Sequence, residues 1–146
     1  MGDVTLIITR MLNAKPEDVF KAWIDPKQVA EWYGPEGFTN EIHEFDAHEG
    51  GKYSLTMKAP NGESHPLRGV FKSIQSPTKL VMTWQWDNPG GMEGMGGESL
   101  VTVEFKPLGA KTEMTMTHTK LANEKSKEMH NQGWSSSFNK LERMLA

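Results

Sequence analysis

Residues 126–145 read SKEMHNQGWSSSFNKLERML, and this stretch decides the architecture. Trp134, Phe138, Leu141 and Leu145 fall at i, i+4, i+7 and i+11, one continuous stripe at the helical repeat. Met129, Ser137 and Met144 flank that stripe, while Lys140, Glu142 and Arg143 lie mostly outside it. Burying four such side chains contributes about 1.5–3 kcal/mol each, roughly 6–12 kcal/mol together. A helix of this kind needs an apolar surface to lie on.

The preceding sequence supplies one. From Phe38 the hydrophobic period is two, and strands are predicted at 38–46, 51–59, 66–75, 79–86, 99–107 and 111–118. Gly50-Gly51, Pro60-Asn61-Gly62, Ser76-Pro77 and Leu108-Gly109 carry turn chemistry between them. Short connections between consecutive strands imply an antiparallel meander, because parallel neighbours need long crossovers. Tyr53 and Met57 share one side of their strand with Leu55; Met82, Trp84 and Trp86 share a side with Leu80. Met114, Met116 and His118 align in the last strand, and Val101, Val103 and Phe105 in the one before it. One face of the sheet is therefore rich in Met and Trp, and it is the expected seat of the C-terminal helix.

Upstream, residues 4–12 alternate as a strand, with Val4, Leu6 and Ile8 on one face. Pro16 suits a first helical position, with Glu17 and Asp18 against the positive helix start. Val19, Phe20 and Trp23 form the apolar face of this short helix. Asp25 is placed to cap a second helix, with Gln28 three residues on as its capping-box partner. Val29, Trp32 and Tyr33 line that helix, and Gly34-Pro35 ends it.

Composition limits the function. The chain has 146 residues, net charge −3 and scattered basic residues, so no nucleic-acid face is expected. It has no cysteine, which excludes disulfides, thiolate metal sites and a cysteine nucleophile. No secretory signal is legible at the N-terminus, and no apolar run approaches the about 18 residues of a membrane span. A cytoplasmic protein is expected. Ten Met and five Trp concentrate the apolar volume in large, polarisable side chains, which suits a filled core and a pocket wall alike.

Reactive groups are sparse in pattern. His43, His48, His65, His118 and His130 make no i, i+4 or i, i+2 metal pair. His118 follows Met114 and Met116 on the inner face, and so is either a hydrogen-bonded strand-end residue or a polar group aimed into a cavity. Glu44 and Asp46 are spaced to share a strand face with Glu41 and Glu49 nearby, but Asp46 before Gly50-Gly51 reads as a turn residue. Arg10 and Arg68 could each meet a carboxylate in a groove. Ser135-Ser136-Ser137 has no neighbouring base and is poor evidence for a nucleophile. No catalytic residue, metal site or cofactor is assigned. Residues 87–98 hold five glycines; they read as a hairpin tip or as a lid with Met92 and Met95 as its apolar contacts.

The order of elements, together with several short motifs, resembles a known family. The motifs are Pro16-Glu17-Asp18-Val19-Phe20-Lys21-Ala22-Trp23, Asp25-Pro26, Trp32, Asp46 before Gly50-Gly51-Lys52-Tyr53, Gly62, Gly69 and Leu80-Val81-Met82-Thr83-Trp84. The run from Thr112 to His118 and Gly133-Trp134 with Leu141 complete the set. They resemble the Hsp90 ATPase activator homologues, in the C-terminal-domain-like branch of the START/Bet v 1-like helix-grip superfamily. The resemblance implies a single α+β domain over residues 1–146. Its curved, seven-stranded antiparallel sheet would carry two short helices and a long C-terminal helix over the concave face. It also implies a groove for a small apolar or amphipathic ligand. The candidate wall is Trp23, Trp32, Tyr53, Met57, Met82 and Trp84, with Trp86, Met114, Met116, His118, Trp134 and Phe138. The activator's N-terminal domain and its Asn/Trp-rich motif have no counterpart in this sequence, so activation of Hsp90 is not expected. A non-enzymatic binder, monomeric or homodimeric, is the expected protein; a stress- or chaperone-linked partner and a cyclase- or hydrolase-type enzyme are the alternatives.

Overall fold

The computed structural model describes residues 4–86 and 98–145. The lid candidates Met92 and Met95 lie outside the described residues. Elements follow as β1 (Val4–Leu12), α1 (Pro16–Ile24), α2 (Pro26–Trp32), β2 (Thr39–Phe45), β3 (Lys52–Lys58), β4 (Ser64–Gln75) and β5 (Lys79–Trp86). The chain continues with β6 (Glu98–Leu108), β7 (Lys111–Leu121) and α3 (Glu124–Leu145). The sheet is seven-stranded and antiparallel in the order β1-β7-β6-β5-β4-β3-β2, so only β1 breaks the meander by pairing with the last strand. This is the helix-grip fold: α1 and α2 fill the β1–β2 connection and α3 packs across the inner face.

The two short helices meet at Asp25, which differs in detail from the expected capping box. Asp25 Oδ1 accepts from the Lys27 N–H at 3.0 Å, as an N-cap should. Its own N–H closes α1 on the Lys21 carbonyl, so Gln28 has no free backbone donor to accept from. The Gln28 amide instead donates to Asp25 Oδ2 at 3.3 Å. The start of α3 lies two residues before Ser126, because Asn123 caps it through the Ser126 N–H at 2.8 Å.

A bulge in β2 explains the imperfect alternation of its sequence. The register shifts between Ile42 and Glu44, so Ile42 and Phe45 both reach inward although three residues apart. Glu41, His43 and Glu44 are left exposed. Farther on, Gly69 lies opposite Tyr53, and a Cβ there would stand 2.2 Å from the Thr83 carbonyl oxygen and 2.5 Å from the Tyr53 ring. Only glycine lets that ring cross the strand and the Tyr53 hydroxyl reach the Thr83 carbonyl.

The inner face is dominated by aromatic rings. Trp23 is fully buried, with ring centroids 4.8 Å from Trp32, 5.6 Å from Trp134 and 6.1 Å from Phe138. Met82, Met114 and Met116 are completely buried beneath this group. Arg10 joins β1 to α3: its guanidinium pairs with Glu142, donates to Asn139 Oδ1 at 3.0 Å and to the Ser135 carbonyl at 3.2 Å, and lies over the Phe138 ring.

Candidate functional site

Packing between sheet and α3 is tight along most of its length and opens at one end. There a cavity of about 160 Å³ lies between the N-terminal half of α3 and the ends of β3, β4 and β5. Met57, His65, Trp84 and Trp86 face it from the sheet, and Tyr33, Gly34, Pro35 and Phe38 from the α2–β2 connection. Helix α3 contributes Met129, His130, Gly133, Trp134 and Ser137. No Asp, Glu, Lys or Arg belongs to this wall among the described residues.

Several contacts hold the α2–β2 side in place. The Asn40 amide donates to the carbonyls of Ala30 and Tyr33, at 3.1 and 2.8 Å. The Glu36 N–H donates to Ser136 Oγ at 2.8 Å, and Arg143 grips the Glu36 carboxylate through two bonds of 2.7 Å. That bidentate pair holds the Glu36 carboxyl below the usual range. Gly34 has φ +84, and a Cβ on it would press on Phe38 and the Met57 sulfur at 3.1 and 3.3 Å.

Of the expected wall residues, Met57, Trp84, Trp86 and Trp134 meet around this cavity. Trp23, Trp32, Tyr53, Met82, Met114, Met116 and Phe138 lie elsewhere in the core, at 4 % exposure or less. They fill the space that an emptier grip would leave open. His118 is wholly buried behind the wall, not in it. Tyr33, Gly34, Pro35, Phe38, His65, Met129, His130, Gly133 and Ser137 complete the cavity and were not among the wall residues expected from sequence. The pairing of His130 with Trp134 at i, i+4 on the inner helix face was a legible signal for one of them.

The two buried histidines organise the back of the site. The Trp134 Nε1–H donates to His118 Nδ1 at 3.1 Å, and the Trp86 Nε1–H donates to His130 Nε2 at 3.2 Å. An indole nitrogen can only donate, so each of these ring nitrogens must be an unprotonated acceptor. His118 then carries its proton on Nε2 and donates to Ser99 Oγ at 2.6 Å, and Ser99 passes its hydrogen to the Trp84 carbonyl at 2.9 Å. His130 carries its proton on Nδ1 and donates to the Ser126 carbonyl at 2.8 Å. Burial pushes the His118 pKa well below its ordinary value, with His130 adding to the effect; burial also lowers His130, opposed in part by its bond to Ser126. Both rings are neutral at pH 7.

This polarity also decides the standing of Ser99 and His118 as a nucleophile and base. A general base must present a lone pair to the hydroxyl, whereas here His118 donates to it. The hydroxyl hydrogen is committed to a backbone carbonyl. The pair is built for structure.

The remaining polar candidates are dispersed. Asp46 shapes the β2–β3 turn, where it accepts from His48, and the Glu41 carboxylate meets Lys58 at 3.0 Å. Arg68 is exposed on β4. Among the described residues no three His, Asp or Glu side chains form a metal-ligand set, and no helix is long and apolar enough to cross a membrane.

Solved structures share this architecture. Protein CV1439 from Chromobacterium violaceum superposes with a TM-score of 0.88 at 27% identity, covering 97% of this chain and 96% of that one. The AHSA1 protein SPO3351 from Silicibacter pomeroyi gives 0.86 at 26% identity, covering 97% of each. CalU16 from Micromonospora echinospora, at 18% identity and TM-score 0.72, covers 99% of this chain and 77% of that one and shares the fold. No curated protein matches. The sequence model of the "Activator of Hsp90 ATPase homolog 1-like protein" family matches residues 13–146, and the chain belongs to that family.

Proposed function

We propose that the protein binds a small apolar or amphipathic molecule, without transforming it, in the cavity between α3 and the ends of β3–β5. The observation that carries this reading is Gly133. Glycine inside a helix costs about 1 kcal/mol relative to alanine. No close approach accounts for it, since a Cβ at Gly133 would meet nothing within 4 Å among the described residues. Gly133 faces the cavity, and its missing side chain keeps that space open. The volume of about 160 Å³ is that of a one-ring ligand; an engineered apolar cavity of about 150 Å³ in another protein takes up benzene. An apolar wall with few polar groups is the usual make-up of a small-molecule site.

Methionine-methyl NMR with toluene as probe tests the reading. Met57 and Met129 on the wall should shift saturably at low millimolar toluene, while Met82 and Met114 in the packed core should not. Gly133→Leu should retain the fold by circular dichroism and abolish the shifts. Absence of any saturable shift in the wild-type protein refutes the reading.

A further inference from the structure

The chain has five tryptophans and two tyrosines, all among the described residues. Four of the five indole N–H groups are satisfied. Trp23 donates to the Met114 sulfur, Trp32 to the Ala22 carbonyl, Trp86 to His130 and Trp134 to His118. Of the two phenols, Tyr53 donates to the Thr83 carbonyl. The two that remain, Trp84 Nε1 and the Tyr33 hydroxyl, are buried and have no hydrogen-bond partner among the described residues. Their rings are neighbours, with centroids 5.8 Å apart, and both residues belong to the cavity wall. Trp84 is 3% exposed and Tyr33 1% exposed.

Buried polar groups are almost always satisfied, so two orphans on neighbouring rings of one cavity wall point to what the cavity takes when those rings turn toward an occupant. Resting on the ligand-binding reading above, we propose that the ligand is a neutral, one-ring-sized apolar molecule carrying a carbonyl-type acceptor, which receives hydrogen bonds from the Trp84 indole and the Tyr33 hydroxyl. An indole nitrogen offers only a donor, so an acceptor is required of the ligand. A carbonyl oxygen has two lone pairs and can serve both groups. Burial raises the Tyr33 pKa far above its ordinary value, so the phenol keeps its hydrogen. Of the other side-chain donors of the wall, Trp86 and His130 are committed as above and Ser137 donates to the Gly133 carbonyl at 2.9 Å, while the His65 ring lies 3.6 Å from the Glu63 carboxylate. Neutrality follows from the wall itself. No Lys or Arg faces the cavity among the described residues, and residues 87–97 contain neither, so an ionised carboxylate would enter without a permanent counter-charge.

Acetophenone, α-methylstyrene and benzoate separate the elements of this claim. The first two have nearly the same shape and differ by a carbonyl oxygen in place of a methylene; the third carries charge. Each is titrated into 15N-labelled protein at pH 7.5 while the five indole N–H resonances are followed, with Trp84 assigned through Trp84→Phe. Acetophenone should bind about tenfold more tightly than α-methylstyrene, the size of one well-made hydrogen bond. It should also move the Trp84 indole proton downfield. In Trp84→Phe and Tyr33→Phe, folded by circular dichroism, the preference should shrink toward unity while α-methylstyrene still binds. Equal binding of the two probes by the wild-type protein overturns the acceptor and leaves ligand binding standing. Binding of benzoate as tight as that of acetophenone overturns neutrality. If no probe binds, the ligand-binding reading falls, and this inference with it.

Discussion

Replacing Trp134 tests the grip arrangement and the tryptophan–histidine pairs together. The Trp134 ring is 4% exposed and sits 4.7 Å from Trp84, 5.4 Å from Phe138 and 5.6 Å from Trp23 by ring centroids. Truncation to alanine removes a large aromatic from this stack and costs about 3–5 kcal/mol. A second cost arises at His118 Nδ1, which loses its donor; an unsatisfied buried group is worth about 1–3 kcal/mol. The two do not add in full. Trp134 borders the existing cavity, so its removal opens a path by which water can reach His118. Packing therefore dominates in Trp134→Ala. In Trp134→Phe the ring largely persists and blocks water, so the orphaned nitrogen dominates at about 1–3 kcal/mol. Urea unfolding followed by far-UV circular dichroism avoids reading out the fluorophore being removed. The expected order of stability is wild type, then phenylalanine, then alanine, with the alanine variant melting about 10–15 °C lower. A loss below about 1 kcal/mol in Trp134→Ala would refute the anchoring role of this residue.

Two further outcomes follow from the same geometry. His118 and His130 have folded-state pKa values pushed below the ordinary 6.5, so the unfolded chain takes up protons first as pH falls. Their stabilisation is thus fully present above pH 6.5 and is lost as pH drops below it, by up to about 1.4 kcal/mol per pH unit for each histidine. Urea midpoints between pH 7.5 and 5 should fall with acid, and His118→Gln should reduce the slope; a flat profile contradicts the burial of neutral rings. Gly69→Ala should destabilise by about 1–3 kcal/mol or more, because the new methyl meets both the Thr83 carbonyl and the Tyr53 ring. Tyr53→Phe combined with Gly69→Ala should recover little of that loss, since the backbone contact and the ring edge both remain; full recovery would show that the hydroxyl alone sets the constraint.

The amino-acid sequence by itself determined the elements and their buried faces. Strand and helix periods are local properties, so the stripe of Trp134, Phe138 and Leu141 and the alternation of Tyr53, Leu55 and Met57 could be read without knowing any neighbour. Even the bulge in β2 left a trace, as the broken alternation between Ile42 and Phe45. Whether an inward residue becomes core or cavity wall is a different kind of question. Trp23 and Trp84 look alike in sequence, both on apolar faces, yet Trp23 is enclosed by Trp32, Trp134 and Phe138 while Trp84 meets open space. That difference depends on volumes contributed by α1, α2 and α3 at once. The same holds for hydrogen bonds. His118 and His130 acquire indole donors from Trp134 and Trp86 through pairings across as many as 44 residues, while the Trp84 indole meets no acceptor among the described residues. Periodicity tells which way a side chain points. Only the packed tertiary structure decides what stands opposite it, because close packing is a property of all the converging surfaces together.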